Sequence, residues 1–213
     1  LWSPDGKLVR ELAGHKGHVY SVFFHPDGNT LLSGDLKGVV NQWEARTGKL
    51  MRTFEAKELF SYNTGQKVDY GGVRDIALSP DGMTLAFTGL HKATNPLGAV
   101  NEPLVILFDW AKGEVVRKQP ADGVRGIGWQ VEFLSDGSEV CASGGGGGGY
   151  LIFFKPTEDK PFHKLKLKDF KKIYLEKLFN LIVHKRMTFD IKLSMKIHLG
   201  KENMPLVIRS RIS

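Results

Sequence analysis

Apolar and polar residues alternate in short runs that recur three times along the first 167 residues of the chain. Each recurrence is centred on an Asp-Gly pair, which begins at Asp27, Asp81 and Asp136. An apolar residue lies five residues before each aspartate, another lies three before it, and a third lies four after it. These positions hold Val22, Phe24 and Leu31, then Ile76, Leu78 and Leu85, then Val131, Phe133 and Val140. Alternation with a period of two on both sides of a turn predicts a β-hairpin with one face in a core.

Two further strands follow each hairpin. They are predicted at Val39–Trp43 and Leu50–Phe54, at Leu104–Phe108 and Glu114–Lys118, and at Tyr150–Phe154 and His163–Leu167. Four antiparallel strands in each unit are typical of the blade of a β-propeller. Residues 1–12 repeat the second half of such a unit, because Leu1-Trp2 and GKLVREL match Gln42-Trp43 and GKLMRTF. We therefore expect about three blades and a partial blade, in a chain that is a fragment of a longer array.

Residues 1–167 resemble WD40 repeats of the bacterial multi-repeat kind. The resemblance is carried in the first unit by Gly14-His15, the SVFFHPDG strand and turn, Ser33 and Trp43. It implies that His15, Ser33 and Trp43 belong to a buried hydrogen-bonded tetrad that ties the strands of one blade together. The fourth member should be an aspartate in the turn before the third strand. That position holds Lys37, and Asp35 is nearby but two residues early, so we expect an incomplete tetrad.

The second and third units depart from this pattern. They lack the Gly-His pair, and Phe108 and Phe154 stand where the tryptophan is expected. Two insertions, Glu55–Gly72 and His91–Pro103, are rich in Gly, Asn, Pro and charged residues and are predicted to be surface loops. Six consecutive glycines, Gly144–Gly149, precede a strand rather than a helix, so they predict a turn and not a phosphate-binding loop.

The last 49 residues differ in composition from the repeats. Residues 1–164 contain 18 Lys and Arg against 19 Asp and Glu, whereas residues 165–213 contain 12 against 4. A short basic α/β tail is predicted at 168–213, with a helix over Lys168–Lys185 and a strand over Met187–Leu199. Three interpretations stay open for this tail. It completes or caps the propeller, it binds nucleic acid or anionic membrane with salt-sensitive affinity, or it is non-native sequence joined to a truncated gene.

The fold class is therefore an all-β, partial WD40-type propeller over residues 1–167, followed by the basic tail. The resemblance implies a non-catalytic scaffold that binds other proteins, with no cofactor, no metal and no small-molecule substrate. His15, His18 and His25 take separate roles in the repeat, so they do not predict a metal site. A propeller enzyme of the lactonase or hydrolase type is the alternative, although no convergent catalytic set can be identified. Three blades leave open edges, so we also expect self-association. The compartment stays open, with the cytoplasm as the default.

Overall fold

The structure, a computed structural model, describes residues 1–94, 101–145 and 148–167 as three four-stranded antiparallel sheets and one two-stranded sheet. Each four-stranded sheet is a blade whose strands follow one another in chain order. An isolated bridge between Trp2 and Leu8 precedes them. The predicted all-β partial propeller is thus confirmed. The predicted helix and strand of the tail lie outside the described residues.

The strands run close to their predicted bounds. Blade 1 contains β1 (Val19–Phe24), β2 (Thr30–Asp35), β3 (Val39–Glu44) and β4 (Leu50–Glu55). A two-stranded hairpin contains β5 (Phe60–Asn63) and β6 (Val68–Gly71). Blade 2 contains β7 (Val73–Leu78), β8 (Thr84–His91), β9 (Glu102–Asp109) and β10 (Val115–Pro120). Blade 3 contains β11 (Ile127–Phe133), β12 (Glu139–Gly145), β13 (Gly148–Phe154) and β14 (His163–Leu167).

The Asp-Gly pairs form the turns between the first and second strands. In blade 1, Asp27 Oδ1 accepts hydrogen bonds from the main-chain N–H groups of Asn29 and Thr30, each at 2.8 Å. Gly28 follows with a φ of +70°, a left-handed conformation in which a residue with a Cβ atom is strained. The two residue types therefore perform the turn chemistry that the repeated pattern predicts.

The third turn differs from the other two by one residue, and this corrects one sequence assignment. Phe24 pairs with Leu31 in blade 1 and Leu78 pairs with Leu85 in blade 2, but Phe133 pairs with Glu139 in blade 3. The alignment on the aspartates had placed Val140 at this position. The third turn is shorter because Leu134 N–H already bonds to Ser138 O, and successive residues of a strand face opposite sides of its sheet. A glutamate therefore occupies a core position that leucine fills in the other blades.

The first insertion, Glu55–Gly72, is not the irregular surface loop that its composition predicts. It contains one turn of 3-10 helix (Lys57–Leu59) and the β5–β6 hairpin, and the Leu59 side chain is buried. Apolar residues at its two ends explain the difference, since Leu59 packs into the core between blades 1 and 2. The second insertion, His91–Pro103, begins and ends in strand, and its residues 95–100 lie outside the described range.

The glycine run extends a hairpin rather than interrupting it. Gly144 pairs with Gly149, and Gly145 pairs with Gly148, so β12 and β13 reach into the run from both sides. The part of the predicted turn that falls on residues 146 and 147 lies outside the described residues. Within the part of the chain that is described, no helix has the length and apolar character needed to cross a membrane.

Adjacent blades pack face to face and bury two apolar cores between them. The first core contains, among others, Leu32, Val40 and Phe54 from blade 1 and Phe87, Ile106 and Phe108 from blade 2. The second contains Ala86 and Leu107 from blade 2 and Val131, Cys141 and Phe154 from blade 3. The other face of blade 1 is exposed to solvent. Its residue Val22 is 58% exposed, whereas the equivalent Ile76 and Val131 are 4% and 0% exposed. The predicted self-association through open edges stays a prediction.

An arginine at one repeated position links each blade to the next. Arg10, Arg52 and Arg117 occupy equivalent positions near the end of a unit, and each donates to a main-chain oxygen in the turn between the third and fourth strands of the following blade. The acceptors are the carbonyl oxygens of Arg46, Ala111 and Pro156, respectively. The guanidinium of Arg52 also lies 4.6 Å from the ring centroids of both Phe54 and Trp110. This repeated contact supplements the apolar cores with directional hydrogen bonds.

Replacing Arg52 with alanine should lower the free energy of unfolding by about 2 kcal/mol, because charged hydrogen bonds and a cation–π contact are lost together. Urea unfolding monitored by tryptophan fluorescence measures this change. The matched control is Arg46→Ala, whose side chain is exposed and whose backbone carbonyl is kept, with an expected change of less than about 0.5 kcal/mol. Equal transition midpoints for the two variants would show that the arginine contact contributes nothing to the packing of the blades.

Candidate functional site

The residues predicted for the tetrad lie together in blade 1. His15 Nε2 is 2.7 Å from Ser33 Oγ, and Trp43 Nε1 donates to the same Oγ at 2.8 Å. Because the indole N–H can only donate, the Ser33 hydroxyl is free to donate its own proton to His15 Nε2. His15 then carries its proton on Nδ1. A chain of directed hydrogen bonds thus joins β3, β2 and the segment before β1.

The expectation that the tetrad is incomplete is wrong. His15 Nδ1 lies 2.8 Å from Asp35 Oδ2, so a carboxylate does complete the hydrogen-bonded chain. Asp35 Oδ1 also accepts the main-chain N–H groups of Lys37 at 2.9 Å and Val39 at 3.0 Å. The aspartate therefore caps the β2–β3 turn from the last residue of β2. An aspartate can accept a hydrogen bond from the backbone N–H two residues later. This property, and not the position in the repeat, indicates Asp35 as the fourth member.

Lys37 points away from the tetrad. Its Nζ lies 2.6 Å from Asp69 Oδ2 on β6 and 4.7 Å from the centroid of the Phe60 ring on β5. It therefore ties the inserted hairpin to blade 1.

Blade 2 replaces the hydrogen-bonded chain with aromatic packing. Phe87 and Phe108 occupy the positions of Ser33 and Trp43, and their ring centroids are 4.8 Å apart. Phe54 of blade 1 packs edge-on against both rings at 5.7 Å. Edge-to-face aromatic contacts of this kind stabilise a core without buried polar atoms. The hydrogen-bonded chain thus has no counterpart at these positions of blade 2, and a structural role for His15, Ser33 and Trp43 stays a prediction.

A second cluster was not predicted from the sequence and lies along the first strands of the three blades. Each first strand contains a β-bulge, and the bulged residues are Tyr20, Arg74 and Trp129. A bulge re-aims the side chain that it carries. The guanidinium carbon of Arg74 lies 3.8 Å from the centroid of the Tyr20 ring and 5.7 Å from that of the Trp129 ring. We call these three residues the bulge stack.

Two glycines at the end of the inserted hairpin shape the bulge stack. Arg74 Nη2 donates to the carbonyl oxygen of Gly71 at 3.0 Å. A Cβ atom on Gly72 would lie 2.6 Å from Tyr20 Cδ2, so only glycine lets the ring lie against the backbone there. The hairpin is therefore placed directly beside the stack.

The two insertions contact each other on this side of the molecule. Ser61 Oγ on β5 donates to Ala93 O at 2.8 Å, and Asn63 Nδ2 donates to Thr94 O at 3.4 Å. Tyr70 and Leu90 are buried in a small cluster with Ala93. Tyr62 remains 52% exposed and Tyr20 42% exposed. The described residues of the two insertions and the bulge stack thus form one continuous surface, which we call the insertion face.

Two partly buried carboxyl groups lie near the bulge stack in sequence. Burial raises the pKa of Asp75 to about 7, and Asp75 Oδ2 accepts the main-chain N–H of Val131 at 3.0 Å. Burial likewise raises the pKa of Glu132 to about 7.

Within residues 1–94, 101–145 and 148–167, no three His, Cys, Asp or Glu side chains are grouped so that they could hold a metal ion.

Comparisons with known proteins agree with the repeat. The family described as "WD domain, G-beta repeat" matches residues 6–44. The chain is 30% identical over 69 residues to the F-box-like/WD repeat-containing protein TBL1X of Mus musculus, which is 32% of this chain and 12% of that protein. It is 34% identical over 58 residues to the SIR4-interacting protein SIF2 of Saccharomyces cerevisiae, which is 27% of this chain and 11% of that protein.

A third relative is the small ribosomal subunit protein RACK1z of Arabidopsis thaliana. The chain is 42% identical to it over 53 residues, which is 25% of this chain and 16% of that protein. In each of these three comparisons the aligned part of the chain therefore spans less than a fifth of the relative's length.

Proposed function

We propose that the protein is a non-catalytic scaffold that binds other proteins, from the premise that residues 6–44 match the WD-repeat family within a partial propeller. The insertion face is the surface that we assign to the partner. Two relatives support this proposal by their names, since one is a SIR4-interacting protein and another is a small ribosomal subunit protein. Calcium-dependent ester hydrolysis by this chain would contradict the non-catalytic part of the proposal.

One observation supports the insertion face most strongly. The described residues of the two insertions, which β7 and β8 separate in the chain, contact each other and the bulge stack, and they leave Tyr20 and Tyr62 exposed. Aromatic residues are enriched where proteins bind each other, because a rigid ring gives a large contact area at low cost in conformational entropy. A rigid blade beneath the insertions holds these rings in place without a partner.

We expect displayed random peptides selected on this chain to bind at the insertion face. Replacing Tyr62 with alanine should weaken their binding at least tenfold, since truncation of a central aromatic contact typically costs more than about 1 kcal/mol. Isothermal titration of each selected peptide against wild type and variant measures the change. Replacing Met83 with alanine is the matched control, because Met83 is 68% exposed in the turn at the far end of blade 2.

The expected effect of the Met83→Ala control is less than twofold. Peptides that lose affinity equally in both variants, or only in the Met83 variant, would place the binding surface elsewhere. A selection that yields no binding peptide would contradict the scaffold proposal itself.

A further inference from the structure

The cation at the centre of the bulge stack has no anionic partner among the residues that the structure describes. Arg74 is half-buried, and it belongs to none of the ion pairs within residues 1–94, 101–145 and 148–167. Its Nη2 donates to Gly71 O, whereas its buried Nε has no acceptor within the same residues. Buried charges in proteins are usually paired, because an isolated charge loses hydration without compensation.

The geometry of the stack suits a ligand that approaches the guanidinium edge. The centroid of the Tyr20 ring lies 3.8 Å from the guanidinium carbon, so a cation–π contact holds the planar group beside the ring. The five N–H donors of an arginine lie in that plane, and a carboxylate matches two of them with two parallel hydrogen bonds. Lysine lacks this fork, so an arginine held by aromatic rings favours planar anions.

We propose that Arg74 binds the carboxylate of an acidic segment of a partner protein, with Tyr20 and Trp129 holding the guanidinium in place. This inference rests on the proposed scaffold function and adds the chemistry of the partner. A single uncompensated cation matches a singly charged carboxylate. A phosphate dianion would bring more negative charge than a carboxylate toward Asp75, the residue that follows Arg74 in β7.

A capped hexaglutamate peptide is the probe, titrated at about 0.15 M salt so that long-range attraction is screened. Replacing Arg74 with glutamine should weaken its binding at least tenfold. The charge-matched control is Arg125→Gln, because Arg125 is exposed in the loop before β11 and its loss changes the net charge equally. We expect less than a twofold effect from the control. Equal losses in both variants would overturn the proposal, since they would report only attraction to a positively charged chain.

A second variant keeps the test decisive if Arg74→Gln fails to fold. Arg74→Lys retains the charge and loses the planar fork, so it should weaken hexaglutamate binding at least threefold while the melting temperature is unchanged. Wild-type affinity in a folded lysine variant would overturn the proposed two-bond geometry. Spectra of nitrogen-15 labelled indoles should show that the peptide shifts the Trp129 signal and leaves the signal of Trp110, which contacts Arg52, in place.

Two further outcomes separate this inference from the scaffold proposal. Inorganic phosphate that displaces hexaglutamate at equal concentration would show a general anion site and overturn the assignment to a partner carboxylate. Library-selected peptides that depend on Tyr62, contain no acidic residue and bind the Arg74→Gln variant normally would overturn the inference about Arg74. The scaffold proposal would stand in that case.

Discussion

Replacing Trp43 with alanine should lower the free energy of unfolding by about 4 kcal/mol, the usual cost of truncating a large aromatic residue in a core. Trp43 is 1% exposed, so its loss leaves a cavity that the rigid blade cannot fill. It also removes the N–H that Ser33 Oγ accepts, and with it one end of the hydrogen-bonded chain through His15 to Asp35. Chemical unfolding followed by circular dichroism measures the change.

Two control variants separate the cost of the cavity in free energy of unfolding from the cost of the lost hydrogen bond. Trp43→Phe retains most of the packing, as Phe108 and Phe154 do at the same position of the other blades, where each is 1% exposed. It should cost about 1–2 kcal/mol, mainly for the lost hydrogen bond. Trp2→Ala removes the same side chain from a site that is 69% exposed, and its effect should stay within about 0.5 kcal/mol. A Trp43→Ala protein as stable as the Trp2→Ala protein would refute a structural role for the tetrad.

The second large effect concerns Glu139, the carboxyl group that the short third turn places in the core. Its side chain is fully buried, and neither carboxyl oxygen has a hydrogen-bond partner within the described residues. Burial is the largest influence and raises the pKa of Glu139 to about 7, although Gln119 acts in the opposite direction. The folded protein therefore holds a proton on Glu139 at pH values where the unfolded chain has released it.

The contribution of Glu139 to the free energy of unfolding decreases as the pH rises. A folded-state pKa above the unfolded value means that the folded state binds more protons between about pH 4.5 and 7. The contribution of Glu139 to stability is thus complete below pH 4.5 and is lost as the pH rises through 7. Replacing Glu139 with leucine, the residue at the equivalent positions Leu31 and Leu85, should raise the free energy of unfolding at pH 8 by about 2 kcal/mol.

Unfolding free energies measured from pH 4 to pH 8 test this prediction. Glu139→Gln keeps the shape and removes the titration, so its stability should fall less steeply with pH than that of the wild type. Asp75 and Glu132 also have a pKa of about 7. Part of the decrease in unfolding free energy with pH therefore remains in every variant. Glu114→Gln, at an exposed position, is the matched control and should follow the wild-type curve. A Glu139→Gln protein that follows it too would contradict the buried, protonated carboxyl group.

The strands were predictable because their signals are local. Alternating apolar residues around Asp-Gly turns need only the period of a strand and the turn preferences of two residue types, and both appear in the sequence. The three residues expected in the tetrad lie in hydrogen-bond contact for a related reason, since a repeat fixes which positions of a blade meet. The aspartate of the tetrad was not predicted, because alignment of the repeats assigned its place to position 37. The side chain of Asp35, two residues earlier, reaches the same turn.

The register of blade 3 could not be predicted from the repeat. A turn shorter by one residue exchanges the two faces of a strand, and the Asp-Gly alignment does not reveal that change. Glu139 rather than Val140 consequently faces blade 2. The composition of Glu55–Gly72 also predicted a loop. The insertion has few apolar residues, and only the folded structure shows that one of them, Leu59, packs into the core.

The blade architecture, the turn residues and the positions of His15, Ser33 and Trp43 could be predicted, because these depend on short-range pattern and repetition. The bulge stack and the insertion face became visible only in the folded chain. Tyr20, Arg74 and Trp129 are each separated by more than fifty residues, and nothing in a single repeat indicates that they meet. Packing of successive blades brings equivalent positions side by side, so a cation from one blade lies between aromatic rings from its two neighbours.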